Sequence, residues 1–192
     1  MPTMERTLEH LVERVYGRYY GKYRGIVADV DDPRDQCRIR ATVASLLGGD
    51  PLGWALPAAP FAGDGHGQVM LPEVGSGVWI EFEAGDINHP VWSGAWWAEG
   101  QRPEPKGAGV RVIVSKNGHR VVLDDEADEL RLEHGGTAGP QLVLRGDEIV
   151  LTMGQCEIKI SNTSISLNQG QIKIGLAGVS LVNGAMSFGV PP

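Results

Sequence analysis

The end of the chain has a rhythm of apolar and polar residues that no helix produces. From Ile165 to Gly189 it reads ISLNQGQIKIGLAGVSLVNGAMSFG. Apolar residues stand two apart, and the pairs return every seven residues: Ile165 with Leu167, Ile172 with Ile174, Val179 with Leu181, Met186 with Phe188. The series extends back to Ile158 with Ile160 and Leu151 with Met153, and Leu144 opens a further unit whose second place is Gly146. Residues two apart lie about 200° around a helix but on one face of a strand. Coiled coils place their apolar residues three and four apart instead. Each unit therefore predicts a strand of three or four residues with one inward pair, followed by a turn. The residue between the pair is polar (Thr152, Lys159, Ser166, Lys173, Ser180, Ser187), and Asn162, Gly170, Gly175 and Gly178 stand among the turn formers.

The same alternation fills residues 110–192, including VRVIVS, HRVVLDD, ELRLEH, QLVLRG, EIVLTM and CEIKIS. Upstream, residues 18–98 alternate β-prone runs with Gly/Pro breaks: RGIVADV, CRIRATVASLL, WALPAAP, GQVMLP, GVWIEFEAG and PVWSGAWW. Short strands at this spacing predict a small barrel or sandwich. In GVWIEFEAG, Val78, Ile80 and Phe82 face one way and Trp79, Glu81 and Glu83 the other. Val78, Ile80, Phe82 and Trp92 are the expected core of this region. Residues 1–17 carry Leu8, Leu11, Val12 and Val15 at helical spacing, which predicts a short amphipathic helix over Met4–Tyr16. Residues 99–109 are rich in Pro and Gly and aperiodic, and read as a linker.

A ribbon built from the seven-residue units has one apolar face and nothing to lay it on. Burying one Leu or Ile side chain stabilises by about 1.5–3 kcal/mol, which a lone ribbon cannot collect. Copies wrapped around a common axis can. The expectation is an all-β chain: a barrel followed by an intertwined trimeric β-helix, its strand edges paired with neighbouring chains. Its core would be Leu144, Leu151, Met153, Ile158, Ile160, Ile165, Leu167, Ile172, Ile174, Val179, Leu181, Met186 and Phe188. A single-chain solenoid is the competing arrangement, although such coils are usually longer.

The net charge of −7 and the lack of a basic stripe argue against nucleic acid. Trp79, Trp92, Trp96 and Trp97 could stack bases, but Glu81, Glu83, Asp86 and Glu99 give their surroundings the wrong sign. No run approaches the roughly 20 apolar residues of a membrane span, and the N-terminus lacks a secretory pattern. The chain is expected to be assembled in the cytoplasm of the producing cell. Cys37 and Cys156 form no CxxC pair and share strand parity with apolar neighbours, so both read as buried free thiols. Asp29, Asp31, Asp32 and Asp35 lack the Gly and distal Glu of a calcium loop and read as an acidic turn. The five histidines show no metal-binding spacing. The carboxylate pairs read as solvated faces. No catalytic, cofactor or metal residue is assigned, and no enzymatic activity is expected.

The runs YYGKYRGIVADVDDP, CRIRATV, GWALPAAPFAG and LPEVGSGVWIEFEAGDINHPVWSGAWW resemble the baseplate assembly protein V and type VI secretion spike family. The resemblance is close over Tyr19–Trp97 and architectural beyond. It implies an oligosaccharide/oligonucleotide-binding (OB) barrel followed by a homotrimeric β-helix. It also implies the role of central spike in a contractile injection machine, in a virion tail or a phage-tail-like particle. The barrel would sit on a hub, a conical tip protein would cap the far end, and the target membrane would be met only on firing. The chain departs from relatives with an inserted lysozyme domain or a large N-terminal hub region, so a separate hub protein is expected. His119 and His134 lie far from the end, so the His-x-His iron site of some phage spikes is not carried over. The ending Val190-Pro191-Pro192 stops strand pairing and suits a separate cap. The alternative is a tailspike-like module that binds or cleaves polysaccharide.

Overall fold

The computed structural model of the chain describes residues 4, 16–135, 139–176, 178–182 and 185–189. The helix expected over Met4–Tyr16 and the Val190–Pro192 ending therefore lie outside the described residues, apart from Met4 and Tyr16. The chain divides into two compact units, Met1–Gln101 and Arg102–Pro192. Both are built mainly from strands.

The first unit contains β1 (Tyr23–Asp29), β2 (Arg40–Thr42), a single helical turn α1 (Ala44–Leu47), β3 (Leu56–Pro57), β4 (Ala62–Gly63), β5 (His66–Gly67), β6 (Gly77–Phe82) and β7 (Pro90–Trp96). Five of these strands form a sheet in the order β2-β1-β6-β7-β3, with β3 parallel to β7 and the other pairs antiparallel. The bridges Ile39↔Ala55 and Thr42↔Pro51 join the first strand of that order to the last, so the sheet closes into a five-stranded barrel of the OB type. A register slip between Val78 and Ile80 falls opposite Gly94, whose φ of 120° is open to glycine. The slip bends β7 into the closing barrel. Val27, Ile39, Ala41, Val43, Leu52, Ala55, Val78, Ile80 and Phe82 are buried inside it.

Several local expectations are corrected here. The run CRIRATVASLL does not continue as a strand: after the buried Val43 the chain makes one helical turn, which reverses it so that residues 51–55 can pair back on β2. Of GQVMLP only Gly67 is in a strand, as the end of β5 opposite Ala62; from Gln68 to Pro72 the run has no ladder partner. Gln68 N–H instead donates to Phe61 O at 2.9 Å beside the small β4–β5 hairpin, and Val69 and Met70 are exposed. Glu83 leaves the strand face and opens a 3-10 turn, Glu83–Gly85. Cys37 lies outside the strands with a left-handed φ of 56° and is half-buried, since the chain turns there before entering β2.

The second unit is a ten-stranded antiparallel meander. Its strands are β8 (Val110–Val114), β9 (Arg120–Asp124), β10 (Glu129–Glu133), β11 (Gln141–Leu144), β12 (Glu148–Met153), β13 (Cys156–Ser161), β14 (Ser164–Leu167), β15 (Ile172–Gly175), β16 (Gly178–Leu181) and β17 (Met186–Gly189). Each strand pairs with the one before and the one after it. The expectation that strand edges pair with neighbouring chains is thus corrected for β9–β16. Short turns join consecutive strands antiparallel, so both edges are filled by the chain itself. Other copies can be met only through the sheet faces, the margins and the end strands β8 and β17.

Candidate assembly surface

The register of the meander aligns its apolar residues into two continuous columns. One runs Leu123, Leu130, Leu144, Ile149, Ile160, Ile165, Ile174, Val179, Phe188. The other runs Ile113, Val121, Leu132, Leu142, Leu151, Ile158, Leu167, Ile172, Leu181, Met186. Residues two apart share a face, so both columns lie on one side of the sheet. That side is open in the single chain: Ile113, Leu151, Ile158, Ile160, Ile165, Ile174, Met186 and Phe188 are all more than 40% exposed. Apolar surface contiguous over so many strands marks an interaction site.

Two details of the sequence pattern shift. The partner of Leu144 on this face is Leu142, because β11 ends at Leu144 and Gly146 lies in the following turn. In β12 the column residues are Ile149 and Leu151, while Met153 lies off the columns opposite Cys156 at the hairpin end. The strict seven-residue spacing begins at Ile158. Residues 149–161 form longer strands, and extrapolating the period backwards lands two residues late. Cys156 is exposed on this same face rather than buried.

The opposite face is ionic over β9–β13. Arg120 Nε lies 3.3 Å from Glu133, which in turn is 3.2 Å from Arg131 Nε. Arg131 reaches Glu129 at 2.9 Å, and Glu129 lies 2.7 Å from Arg145 Nε. Arg145 meets Glu148 at 2.6 Å, and Glu148 also takes Lys159. The result is one chain of alternating charges laid across five strands, with Val122 and Val143 buried on the same face. Beyond Lys159 the central positions are Ser166, Lys173 and Ser180.

Hydrogen bonding to Lys159 and then Arg145 holds the Glu148 carboxyl below its ordinary range. Arg145, and after it Arg131, do the same for Glu129. Acids whose folded pKa is depressed contribute stability above their unfolded pKa, about 4.3 for Glu, and lose it as pH falls through the folded value. The thermal midpoint of the sheet is therefore expected to drop between about pH 5 and pH 3. Glu148→Gln should have a lower midpoint at pH 7 and a smaller drop on acidification. Thermal melts of both proteins at pH 7 and pH 3 check this, and equal drops would contradict the ion-pair account.

In the barrel, Val78 and Ile80 are fully buried and Phe82 nearly so. Trp92 packs on this core half-buried and donates its Nε1–H to Cys37 O at 3.1 Å. Trp79 and Trp96 stay outside, flanking the Arg24 guanidinium at 5.8 and 5.5 Å, and Trp97 is exposed. Asp32 in the acidic turn accepts backbone N–H groups from Arg34, Gln36 and Arg38 and is clasped by the Arg38 guanidinium. That clasp, more than the backbone donors, holds its carboxyl far below the usual range. Its acceptor capacity is spent on fixing the loop. Among the described residues no three His, Cys, Asp or Glu side chains gather closely enough to hold a metal ion.

A closed barrel with an acidic exterior and an open apolar sheet has the means of assembly on its surface. No curated protein matches the chain. Residues 23–97, the span from β1 to the end of β7, match the family model of the type VI secretion system/phage-baseplate injector OB domain. The barrel is therefore similar to the injector OB domain of phage baseplates and type VI secretion systems, a likeness that spans residues 23–97 of the 192.

Proposed function

We propose that three copies of this chain form the central, non-enzymatic spike of a contractile injection machine. Three sheets set their apolar faces inward around a common axis and their ionic and hydroxyl faces outward, giving a stiff three-walled shaft. The single observation that carries this reading is the pair of unbroken apolar columns left open on one side of the sheet. Each strand contributes only two inward residues, a stripe about 7 Å wide at the rise of a β-strand. A stripe that narrow suits one wall of a slender prism. Closure within one chain is disfavoured because β8 and β17, the two ends of the meander, do not pair with each other. Since the ladder is complete within the chain, the copies cohere by side-chain packing rather than by exchanging strands.

In this reading the barrel end docks on a separate hub and the far end receives a conical tip protein. The assembled spike belongs to a virion tail or phage-tail-like particle and meets the target membrane only on firing. Its mechanism is mechanical: the shaft transmits thrust because bending it would open a packed apolar core. Light scattering on the full chain is expected to give three times the chain mass, unchanged on dilution. A monomer would overturn the proposal, and a stable dimer would replace the prism with a two-sheet sandwich.

A further inference from the structure

We propose that the two margins of the second unit's sheet clasp one another between protomers, the imidazole-bearing margin of one copy against the acidic margin of the next. This rests on the three-copy reading above and adds to it the contact that closes the corners of the prism.

In an antiparallel meander, successive turns fall on alternate margins. The connections β8–β9 and β10–β11 lie on one, and the connections β9–β10 and β11–β12 on the other. The phase of the apolar face runs on into these turns. His119 stands two residues before Val121 and His134 two after Leu132, while Asp125 stands two after Leu123 and Asp128 two before Leu130. The apolar face is thus bordered by histidine on one side and aspartate on the other, at the level of the same two strands, β9 and β10.

Each margin carries a shallow, open depression there. The His119 and His134 rings stack 4.4 Å apart, centroid to centroid, beside a hollow of about 460 Å³ floored by Val121, Leu132 and Leu142. The opposite margin has a hollow of about 350 Å³ lined by Asp125, Asp128 and Leu130. All four titratable side chains are exposed in the single chain. The Gly135 N–H donates to His119 Nδ1 at 3.1 Å, which leaves Nε2–H as that ring's donor. Arg120 and Glu133 at the imidazole margin offset each other, and Lys116 stands in the same turn. At the acidic margin Arg111 is paired with Asp125, and Arg145 is paired with Glu129 and Glu148; Glu126 and Asp128 add acidic charge.

A chain that carries both halves of a complementary contact at one axial level, on opposite edges, can make a head-to-tail interface, and in a three-copy prism the rotation between copies closes that interface into a ring. The apolar columns say that copies meet, and the margins say which edge meets which. With the faces inward, each corner brings imidazole donors to carboxylate acceptors, which fixes the order of the chains around the axis.

The test is a set of double-variant cycles in the full chain, pairing Asp125→Lys or Asp128→Lys with His119→Glu or His134→Glu. Within one chain Asp128 and His134 flank β10 and stand about 20 Å apart at the rise of an extended strand, too far to touch. Any coupling between them is therefore between copies. Each single reversal is expected to lower the denaturant midpoint of trimer dissociation. At least one of the four pairings should recover half or more of the summed loss. A wild-type trimer whose four pairings are all additive would overturn the clasp and leave the three-copy shaft standing. A wild-type monomer would overturn both. Where a reversal prevents folding, Asp128→Asn with His134→Gln runs the same cycle without introducing charge.

Discussion

Replacing Ile172 by aspartate is expected to abolish the trimer, while Lys173→Asp leaves it intact. The two positions are neighbours in β15 on opposite faces. Ile172 pairs across the ladder with Leu167 and Leu181 in an apolar column; Lys173 pairs with Ser166 and Ser180. In the single chain both are exposed, Ile172 at 39%. For a monomer, therefore, Ile172→Asp would merely exchange an exposed apolar group for a soluble one. In a three-walled shaft it places three carboxylates around one point of the axis, with Leu and Ile neighbours and no partner for the charge. An unpaired buried charge is among the few changes that cost more than about 4–5 kcal/mol, and here it would occur once per copy. Light scattering and thermal melts of the two variants decide the matter. Loss of trimer with Ile172→Asp alone assigns the faces as inward and outward, and equal behaviour would remove that assignment.

The meander was legible because its chemistry is periodic. From Ile158 onward, strand and turn together occupy seven residues, and side-chain parity alone marks the open face. Where the strands lengthen, in β12 and β13, the period slips and Ile149 is missed in favour of Met153. In the barrel, β1, β6 and β7 announce themselves by alternation, and Val78, Ile80 and Phe82 read directly as one face. The helical turn after Val43, the irregular run at Gln68–Pro72 and the left-handed Cys37 depend on how the barrel closes, which no local pattern encodes. The ion-pair chain was invisible for the same reason. Glu129 and Arg145 are sixteen residues apart and become neighbours only once the register is set. The acidic and histidine margins were present in the sequence as scattered charges, and only the alternation of turns sorts them to opposite edges.

Ile80→Asp is expected to unfold the barrel while the shaft still holds the copies together. Ile80 is fully buried in β6, packed in a cluster with Val27, Ala41 and Val78, and no polar side chain is buried among the described residues to receive a carboxylate. The Ile80 Cγ1 lies only 3.0 Å from where a Cβ on Gly25 would stand, so the neighbouring β1 strand leaves no room for water to follow the charge. The cost exceeds about 4 kcal/mol, a large part of the roughly 5–15 kcal/mol that holds a domain folded. One residue along, Glu81 is already a carboxylate on the outer face, bonded to Lys22 at 2.5 Å and to Ser93, and Glu81→Ala should cost within about 1 kcal/mol. The near-ultraviolet signal of Trp79, Trp92 and Trp96 reports the barrel, and solution mass reports the shaft. Loss of the tryptophan signal at unchanged trimer mass would place assembly in the apolar columns of the second unit. Loss of both together would make the barrel a partner in trimer formation, and the inward-facing sheet would no longer suffice as its cause.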